Sequence, residues 1–438
     1  MDDGRFRDAD DLLAAASDET SRQAREELRE IIRRIRREHT LGSSELLAKI
    51  RPSIPDITPA DLDRWTRSGE AQYRLIDGQL RYFDREPANI FRFCPDAIRR
   101  QLPAPTTQPA FITEHHLADV IAASSRTGKS LILPIRHHGH YTLTVPPNLA
   151  KPGQLVRCWL PFPQEYSRQW DVKLLSASPG QPVVAPPAGS PHRSLYLEHR
   201  VADASSPIAF KMEFEFTSWA YYPALDDALA KPLPSSYSAG HLAERPPHIL
   251  FTPALRQAVA EAVGGQRNPL ARARAIFDWV ATHIRYCAEE EYCTIPSFSE
   301  KALRTRKGDC GIQTMLFIAM CRCAGIPARW QSGWESRPGL VNMHDWAEFY
   351  VEPWGWLPAD PSYGLRDSPD PLVRHFYFGH IDSYRMIVNF DYGCPLHPPK
   401  PSFRSEPADF QRGEVELAGR NLYFDEWDFD MAFEYQML

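Results

Sequence analysis

The sequence lacks the long apolar run that a membrane-spanning helix requires. Among its 438 residues, one of the longest apolar stretches extends only from Met315 to Cys321, far below the roughly 18 residues needed to cross a bilayer. Basic residues are not in excess either: lysine and arginine total 50 against 56 acidic residues, and no long basic block occurs. We therefore expect no membrane span and no nucleic-acid partner.

Cysteine is too sparse for a disulfide scaffold. The eight cysteines are spread along the whole chain and no Cys-x-x-Cys pair is present, which also disfavours structural zinc. A secretory leader is not evident, because the first residues, MDDGRFRDADD, are acidic and polar. We expect a cytoplasmic protein, or an exported one if a leader has been removed.

Hydrophobic patterning predicts an α+β protein with a helical start. Apolar residues recur with a helical period from Ser17 to His39, and shorter helical pieces come after it, so residues 1–102 form a predicted helical N-terminal region. Residues 103–240 instead contain short segments rich in valine, leucine and aromatic residues, which predict a β-rich, sandwich-like domain. A proline-rich stretch, Lys231 to Pro247, is the candidate linker to the C-terminal half of the chain.

Cys310 lies at the start of a predicted apolar helix. After a helix predicted to start at Asn268 and Pro269, a turn ending in Gly-Asp-Cys310 precedes a second, almost wholly apolar helix that ends at Gly325. The free N–H groups and dipole at a helix N-terminus favour a thiolate and can receive the oxyanion of a tetrahedral intermediate. Cys310 is therefore a candidate nucleophile.

A predicted hairpin downstream supplies a base and a carboxylate. His344 lies on the first strand and Asp360 at the end of the second, with a turn between them. The two share a face if the loop has an odd number of residues, as in a Pro353–Gly355 loop with Gly355 left-handed. Even so, we expect a bulge or register shift to be needed to bring them into contact. In this interpretation His344 exchanges protons and Asp360 orients its imidazole.

These motifs resemble the transglutaminase-like superfamily. The resemblance covers about Ala271 to Gly364 and rests on Gly-Asp-Cys310 with its apolar helix, His344-x-Trp-x-Glu348, and Trp356-x-Pro-x-Asp360-Pro. It implies a papain-like core, which we place at residues 241–370, with residues 371–438 as a C-terminal extension packing on it. It also implies a Cys310–His344–Asp360 triad without metal or other cofactor, and an aromatic oxyanion donor, either Tyr286 or Trp279.

The resemblance implies amide acyl transfer through a thioester. The expected partner is a protein or peptide that carries glutamine or another amide, with an amine as optional co-substrate. Protein-glutamine transfer or deamidation is the first expectation. A peptidase or amidase that uses only water is the alternative within the enzymes, and a catalytically idle binding module is the alternative outside them.

The histidine-rich segments do not predict a metal site. Neighbouring histidines in His137-His-Gly-His140 point to opposite faces of a strand, and Glu114-His-His116 does not complete a tetrahedral set. We interpret them as a polar edge of the β-rich domain.

Overall fold

The computed structural model describes residues 4–15, 22–103, 111–234, 237 and 239–438. It divides into two compact units, Met1–Gln108 with Tyr286–Pro296, and Pro109–Arg285 with Ser297–Leu438. The predicted α+β class is confirmed, with a helical N-terminal region and several antiparallel sheets. Within the described ranges, every helix is too short or too polar to span a bilayer.

The first unit is a set of short helices around two small apolar clusters. Phe6 packs with Ile32 and Ile35 in one cluster, and the fully buried Trp65 belongs to the other. The helix predicted from Ser17 is observed from Arg22, and residues 17–21 lie outside the described residues. The helices are α1 (Phe6–Ala15), α2 (Arg22–Glu38), α3 (Ser43–Ile50), α4 (Pro59–Arg67), α5 (Glu86–Phe93) and α6 (Pro95–Arg100).

This unit also contains a hairpin that the helical prediction missed. Strands β1 (Tyr73–Ile76) and β2 (Gln79–Tyr82) pair in register around Asp77 and Gly78. Both turn residues have positive φ, 50° and 79°, as the Asp-Gly turn of a two-residue hairpin requires. The Asp77-Gly78 dipeptide is therefore a signal in the sequence for this hairpin.

The second unit contains two sheets that enclose a common core. The five-stranded sheet has the order β14-β13-β4-β7-β6 and the four-stranded sheet the order β15-β3-β8-β5. Phe210, Met212 and Phe214, on alternate positions of β8, contribute to this core together with Trp159 of β4. The strands are β3 (Leu131–Val145), β4 (Leu155–Pro161), β5 (Gln169–Ser178), β6 (Val183–Val184), β7 (Ser194–Arg200), β8 (Ile208–Tyr221), β13 (Glu414–Leu417), β14 (Arg420–Leu422) and β15 (Asp428–Met437).

Two features of this region differ from the pattern expected for residues 103–240. Helix α7 (Thr113–Thr127) precedes β3 and packs Leu117, Val120 and Ile121 inward. Strand β3 is not an edge, because it lies between β15 and β8. Strands from the end of the chain thus complete both sheets. The domain boundaries themselves stay predictions.

A third sheet and a group of helices carry the candidate site. The sheet order is β11-β10-β9-β12, all antiparallel. Against it packs α11, whose residues from Gly311 to Arg322 are all buried, as its apolar sequence predicts. The elements are α8 (Pro253–Val263), α9 (Pro269–His283), α10 (Phe298–Thr305), α11 (Cys310–Cys323), α12 (Pro371–Arg374), β9 (Ala328–Arg337), β10 (Leu340–Val351), β11 (Gly355–Ala359) and β12 (Arg385–Asn389).

A substitution at Gly139 would test how tightly β3 packs on β8. A Cβ atom at this position would lie 2.5 Å from Cζ of the buried Phe214 ring, so we expect Gly139→Ala to lower the free energy of unfolding by about 1–3 kcal/mol. Urea titration would measure the change. Gly265→Ala is the matched control, since nothing lies within 4 Å of that Cβ. Equal stability of the two variants would contradict this account.

Candidate active site

Cys310 is the first residue of α11. Asp309 caps the helix by accepting a hydrogen bond from the Ile312 N–H at 3.2 Å, and Gly308 has no room for a Cβ because Ile312 lies 2.4 Å from where it would be. The Gln313 side chain donates to the Gly308 carbonyl at 2.9 Å. The Gly-Asp-Cys sequence thus places the thiol at the N-terminus of a helix that is buried in the core.

His344 and Asp360 lie on the β10–β11 hairpin and contact each other directly. His344 Nε2 lies 2.7 Å from Asp360 Oδ2, and both side chains are buried. Pairing of Val351 with Gly355 leaves a three-residue loop that begins at Glu352, one residue earlier than expected. Gly355 is left-handed, with φ 78°.

Of the two expected alternatives, a bulge or a register shift, the structure has the register shift. Ala347 pairs with Ala359 and the pairing is regular to Val351, so Asp360 comes next on the face of Trp346 and His344. A carboxylate and an imidazole two residues apart across a strand pair lie at the diagonal spacing of roughly 7–8 Å, which their side chains bridge. The one-residue change in the turn replaces the bulge.

Asp360 is surrounded by donors. Its Oδ1 accepts from Ser362 Oγ at 2.8 Å and from the Tyr363 N–H at 3.1 Å, and Nη1 of the buried Arg385 lies 3.0 Å from Oδ2. Burial by itself raises the pKa of Asp360, but the imidazole of His344 and the guanidinium of Arg385 outweigh it and hold that pKa well below its ordinary value. These contacts favour the carboxylate form of Asp360, which can orient His344.

The thiol of Cys310 contacts Asp345 rather than the predicted base. Sγ lies 3.3 Å from Asp345 Oδ2, and among the described residues no hydrogen bond joins Sγ to His344 or engages His344 Nδ1. The structure therefore brings His344 and Asp360 together and places Cys310 against the neighbour of His344.

The pKa of Cys310 is shifted upward, against the expectation from the helix N-terminus. Burial of the thiol is the largest cause, and the carboxylates of Asp345 and Asp309 add to it by disfavouring a second negative charge. The thiol is at the predicted helix end, but burial and the adjacent acids act against the thiolate there. Both effects favour the neutral thiol over the thiolate.

Asp345 is the residue that sequence reasoning missed. It is buried, and Gln411 Nε2 donates both to its Oδ1 at 2.8 Å and to the His344 carbonyl at 2.9 Å. The Thr314 hydroxyl of α11 donates to the Asp345 carbonyl at 3.3 Å. The sequence signal for Asp345 is an acidic residue directly after His344. Alternation along a strand places neighbouring side chains on opposite faces, which argues against both residues contributing to one site.

Glu348 of the His-x-Trp-x-Glu motif has a structural role. It is fully buried and accepts hydrogen bonds from Arg168 Nη1 at 2.8 Å, Arg329 Nη2 at 2.7 Å and the Tyr166 hydroxyl at 3.0 Å. Burial raises its pKa, but the two guanidinium groups overcome this effect and lower it. Glu348 thus fixes β10 against β9 and the segment that carries Tyr166 and Arg168.

The two predicted oxyanion donors lie in different settings. Trp279, on α9, is buried; its ring stacks on His283 with centroids 4.5 Å apart, and its indole N–H has no partner within the described chain. Tyr286 belongs to the first unit, where it is partly exposed and the Arg92 guanidinium lies 5.2 Å from its ring centroid. The choice between them stays a prediction.

Groups that can hold a metal lie on a different sheet. Ligand atoms of His138, His140 and Glu213 all lie within 4.8 Å of one another. His137, by contrast, is buried and hydrogen-bonded to Ser218 at 2.8 Å. The alternation of His137 and His138 was predictable from the sequence, but Glu213 was missed as a third ligand because it is 73 positions or more away along the chain.

The comparison with protein families matches this region. The model of the transglutaminase-like superfamily matches residues 256–361, which include Cys310, His344 and Asp360.

Two curated relatives align with parts of the chain. A peptide-N(4)-(N-acetyl-beta-glucosaminyl)asparagine amidase of Gallus gallus is 31% identical over 133 residues, which are 29% of this chain and 19% of the relative. An uncharacterised protein of Haemophilus influenzae is 27% identical over 186 residues, covering 35% of this chain and 50% of the relative. The chain thus spans half or less of the length of these relatives.

Among solved structures, a protein of Cytophaga hutchinsonii provisionally named a cysteine protease is similar over 71% of this chain and 92% of its own, with 14% identity and a TM-score of 0.46.

Removal of the Asp345 charge should make Cys310 more reactive. In Asp345→Asn the carboxylate that disfavours the thiolate is gone, so we expect the pKa of Cys310 to fall and its alkylation profile to move to lower pH, because a nearby like charge disfavours the thiolate. Iodoacetamide labelling and subsequent peptide mapping would measure this, with Cys323 as internal reference. Asp430→Asn, at an exposed site, is the control; a shift to higher pH in Asp345→Asn would overturn the assignment.

Loss of Arg385 should leave two buried carboxylates without their guanidinium partner. Arg385 lies 3.0 Å from Asp360 and 3.1 Å from Asp382, and we expect Arg385→Gln to destabilise the protein by about 3–5 kcal/mol. Arg420→Gln, which affects an ion pair whose arginine is exposed, should cost about 1 kcal/mol or less.

The effect of Arg385 on stability should depend on pH. The folded pKa values of Asp360 and Asp382 are lowered, so their contribution is present above the unfolded value of about 3.9 and is lost as pH falls below it. Chemical denaturation from neutral pH to about pH 3 should show the difference between Arg385→Gln and the unmodified protein shrinking. A difference that stays constant or grows would contradict the charge-based explanation.

Proposed function

From the transglutaminase-like superfamily domain that residues 256–361 form, we propose that the protein is a cysteine enzyme that cleaves amide C–N bonds in protein or peptide substrates. The observation that carries the proposal is the buried hydrogen bond of 2.7 Å between His344 and Asp360, on the strand next to a helix that begins at Cys310. This set of groups suits a nucleophile, a proton carrier and an orienting carboxylate.

The reaction begins from a neutral thiol. Asp345 holds the Cys310 proton in the resting enzyme, so substrate binding has to turn Sγ towards His344, whose Nδ1 is not otherwise engaged. His344 takes the thiol proton as Sγ attacks the carbonyl carbon and a C–S bond forms. Catalytic hydrogen bonds of this kind are commonly completed only when substrate is bound.

Collapse of the tetrahedral intermediate breaks the C–N bond. His344 gives its proton to the leaving nitrogen, and Asp360, whose pKa is held low, stabilises the imidazolium before that transfer. Water then attacks the thioester, the acid is released, and the Cys310 thiol is restored. The N–H groups at the start of α11 suit the oxyanion, and the unpaired indole N–H of Trp279 is the side-chain donor that we favour over Tyr286.

Water is the acceptor that we propose first. The amidase relative is named for amide cleavage and aligns over a segment of this chain at 31% identity. Transfer of the acyl group to an amine uses the same thioester and differs only in the second nucleophile, so one experiment separates the two.

The test compares the unmodified protein with Cys310→Ala, His344→Ala and Cys323→Ala. A panel containing a glutamine peptide, an asparagine-linked glycopeptide and unmodified peptides is incubated with and without a labelled primary amine. Ammonia release and mass spectra report cleavage, and the label reports transfer. We expect cleavage that is lost in Cys310→Ala, falls by about 10²–10⁴-fold in His344→Ala, and persists in Cys323→Ala at the far end of α11.

The possible outcomes are distinct. Label incorporation that depends on Cys310 would replace hydrolysis by amine transfer. Cleavage that survives in Cys310→Ala would exclude the thioester mechanism. No turnover on the panel, together with a Cys310 that does not react with thiol probes at any pH at which the protein stays folded, would favour the idle binding module.

A further inference from the structure

The outward face of the four-stranded sheet presents three metal-ligating side chains. Along β3 the side chains alternate: His137 and Gly139 are buried, while His138 is half-buried and His140 is exposed. Gly139 lies against the Phe214 ring on the inner side. This close contact holds the strand in this orientation. His138 and His140 therefore project from the same face, one pleat apart.

The third ligand comes from the neighbouring strand. Glu213 on β8 pairs directly with His140, and its Oε1 lies 2.8 Å from His138 Nε2. The rings of His138 and His140 have centroids 4.6 Å apart. One ligand atom from each residue lies within 4.8 Å of the other two.

We propose that His138, His140 and Glu213 form a binding site for a divalent transition-metal ion of the zinc class. Two imidazoles and one carboxylate are ligands that zinc accepts, with water in the fourth position. Ligand atoms bound to one zinc ion at about 2.0–2.1 Å lie roughly 3.3 Å apart in a tetrahedron. The observed separations, from 2.8 Å to at most 4.8 Å, lie on both sides of this value.

An outer partner already orients the carboxylate. The Ser176 hydroxyl on β5 donates to Glu213 Oε2 at 3.1 Å, which leaves Oε1 directed at His138. Metal-ligating carboxylates are commonly held by such hydrogen bonds. Three adjacent strands of one sheet thus supply two histidines, the carboxylate and its support, and a rigid backbone sets their spacing.

The competing interpretation is an ion pair between His138 and Glu213. That pair explains the 2.8 Å contact but gives no role to His140, whose ring lies beside His138. A metal ion accounts for both rings. The site is on a different sheet from His344 and does not depend on the proposed amide chemistry.

Titration with Zn²⁺ alone would test the site. We expect one ion per chain for the full-length protein by isothermal titration calorimetry, with binding unchanged in Cys310→Ala. In His140→Ala and Glu213→Gln the affinity should fall at least about 100-fold, the upper end of what loss of an outer partner costs. His115→Ala, at an exposed position of α7, is the matched control and should bind normally.

Co²⁺ gives a second readout that separates this site from the free cysteines. Binding through nitrogen and oxygen produces visible d–d bands without the near-ultraviolet charge-transfer band of a cobalt thiolate, and Zn²⁺ should displace them. No saturable binding, a thiolate band, or equal affinity in His140→Ala and His115→Ala, with both variants folded by circular dichroism, would overturn the proposal.

Discussion

The candidate site depends on the burial of one carboxylate. Asp360 is almost inaccessible to solvent, and an uncompensated charge there would cost several kcal/mol. The compensation comes from His344, Arg385, Ser362 and the Tyr363 backbone. Because these partners come from three segments of the chain, the carboxylate is held in place, and it orients the imidazole of His344.

This constraint extends beyond the segment that matches the superfamily. The match ends at residue 361, but Arg385 on β12 and Gln411 lie after it and hold Asp360 and Asp345 respectively. Glu348 likewise depends on Arg168, which precedes the match. The candidate catalytic residues therefore lie within one short stretch of the sequence, whereas the groups that set the charge states of the buried acids come from several parts of the second unit.

Asp345 changes the physical description of the nucleophile. A helix N-terminus favours a thiolate by a modest amount, whereas burial and a carboxylate 3.3 Å away act in the opposite direction. A thiol kept neutral at rest is less exposed to oxidation and alkylation, since the thiolate is the reactive form. The arrangement links activation of Cys310 to whatever displaces it from Asp345.

Local sequence was sufficient for the parts of the fold that depend on local chemistry. The capped helix at Cys310, its end at Gly325, the helix after Asn268 and the left-handed Gly355 were all predictable, because caps, glycines and hydrophobic period act over a few residues. The β1–β2 hairpin was missed although its signal, the Asp77-Gly78 dipeptide, is local, because the helical pattern around it was given more weight. Helix α7 was missed within the β-rich pattern that follows it.

What only the tertiary structure decided is which distant groups meet. The sequence by itself determined the candidate nucleophile, base and carboxylate and their order. It did not determine the one-residue turn register that brings His344 to Asp360, the contact of Cys310 with Asp345, or the position of Glu213 beside His138 and His140. Those depend on strand pairing and burial between residues far apart in the chain, and the free energy of a charge is set by the neighbours that packing provides.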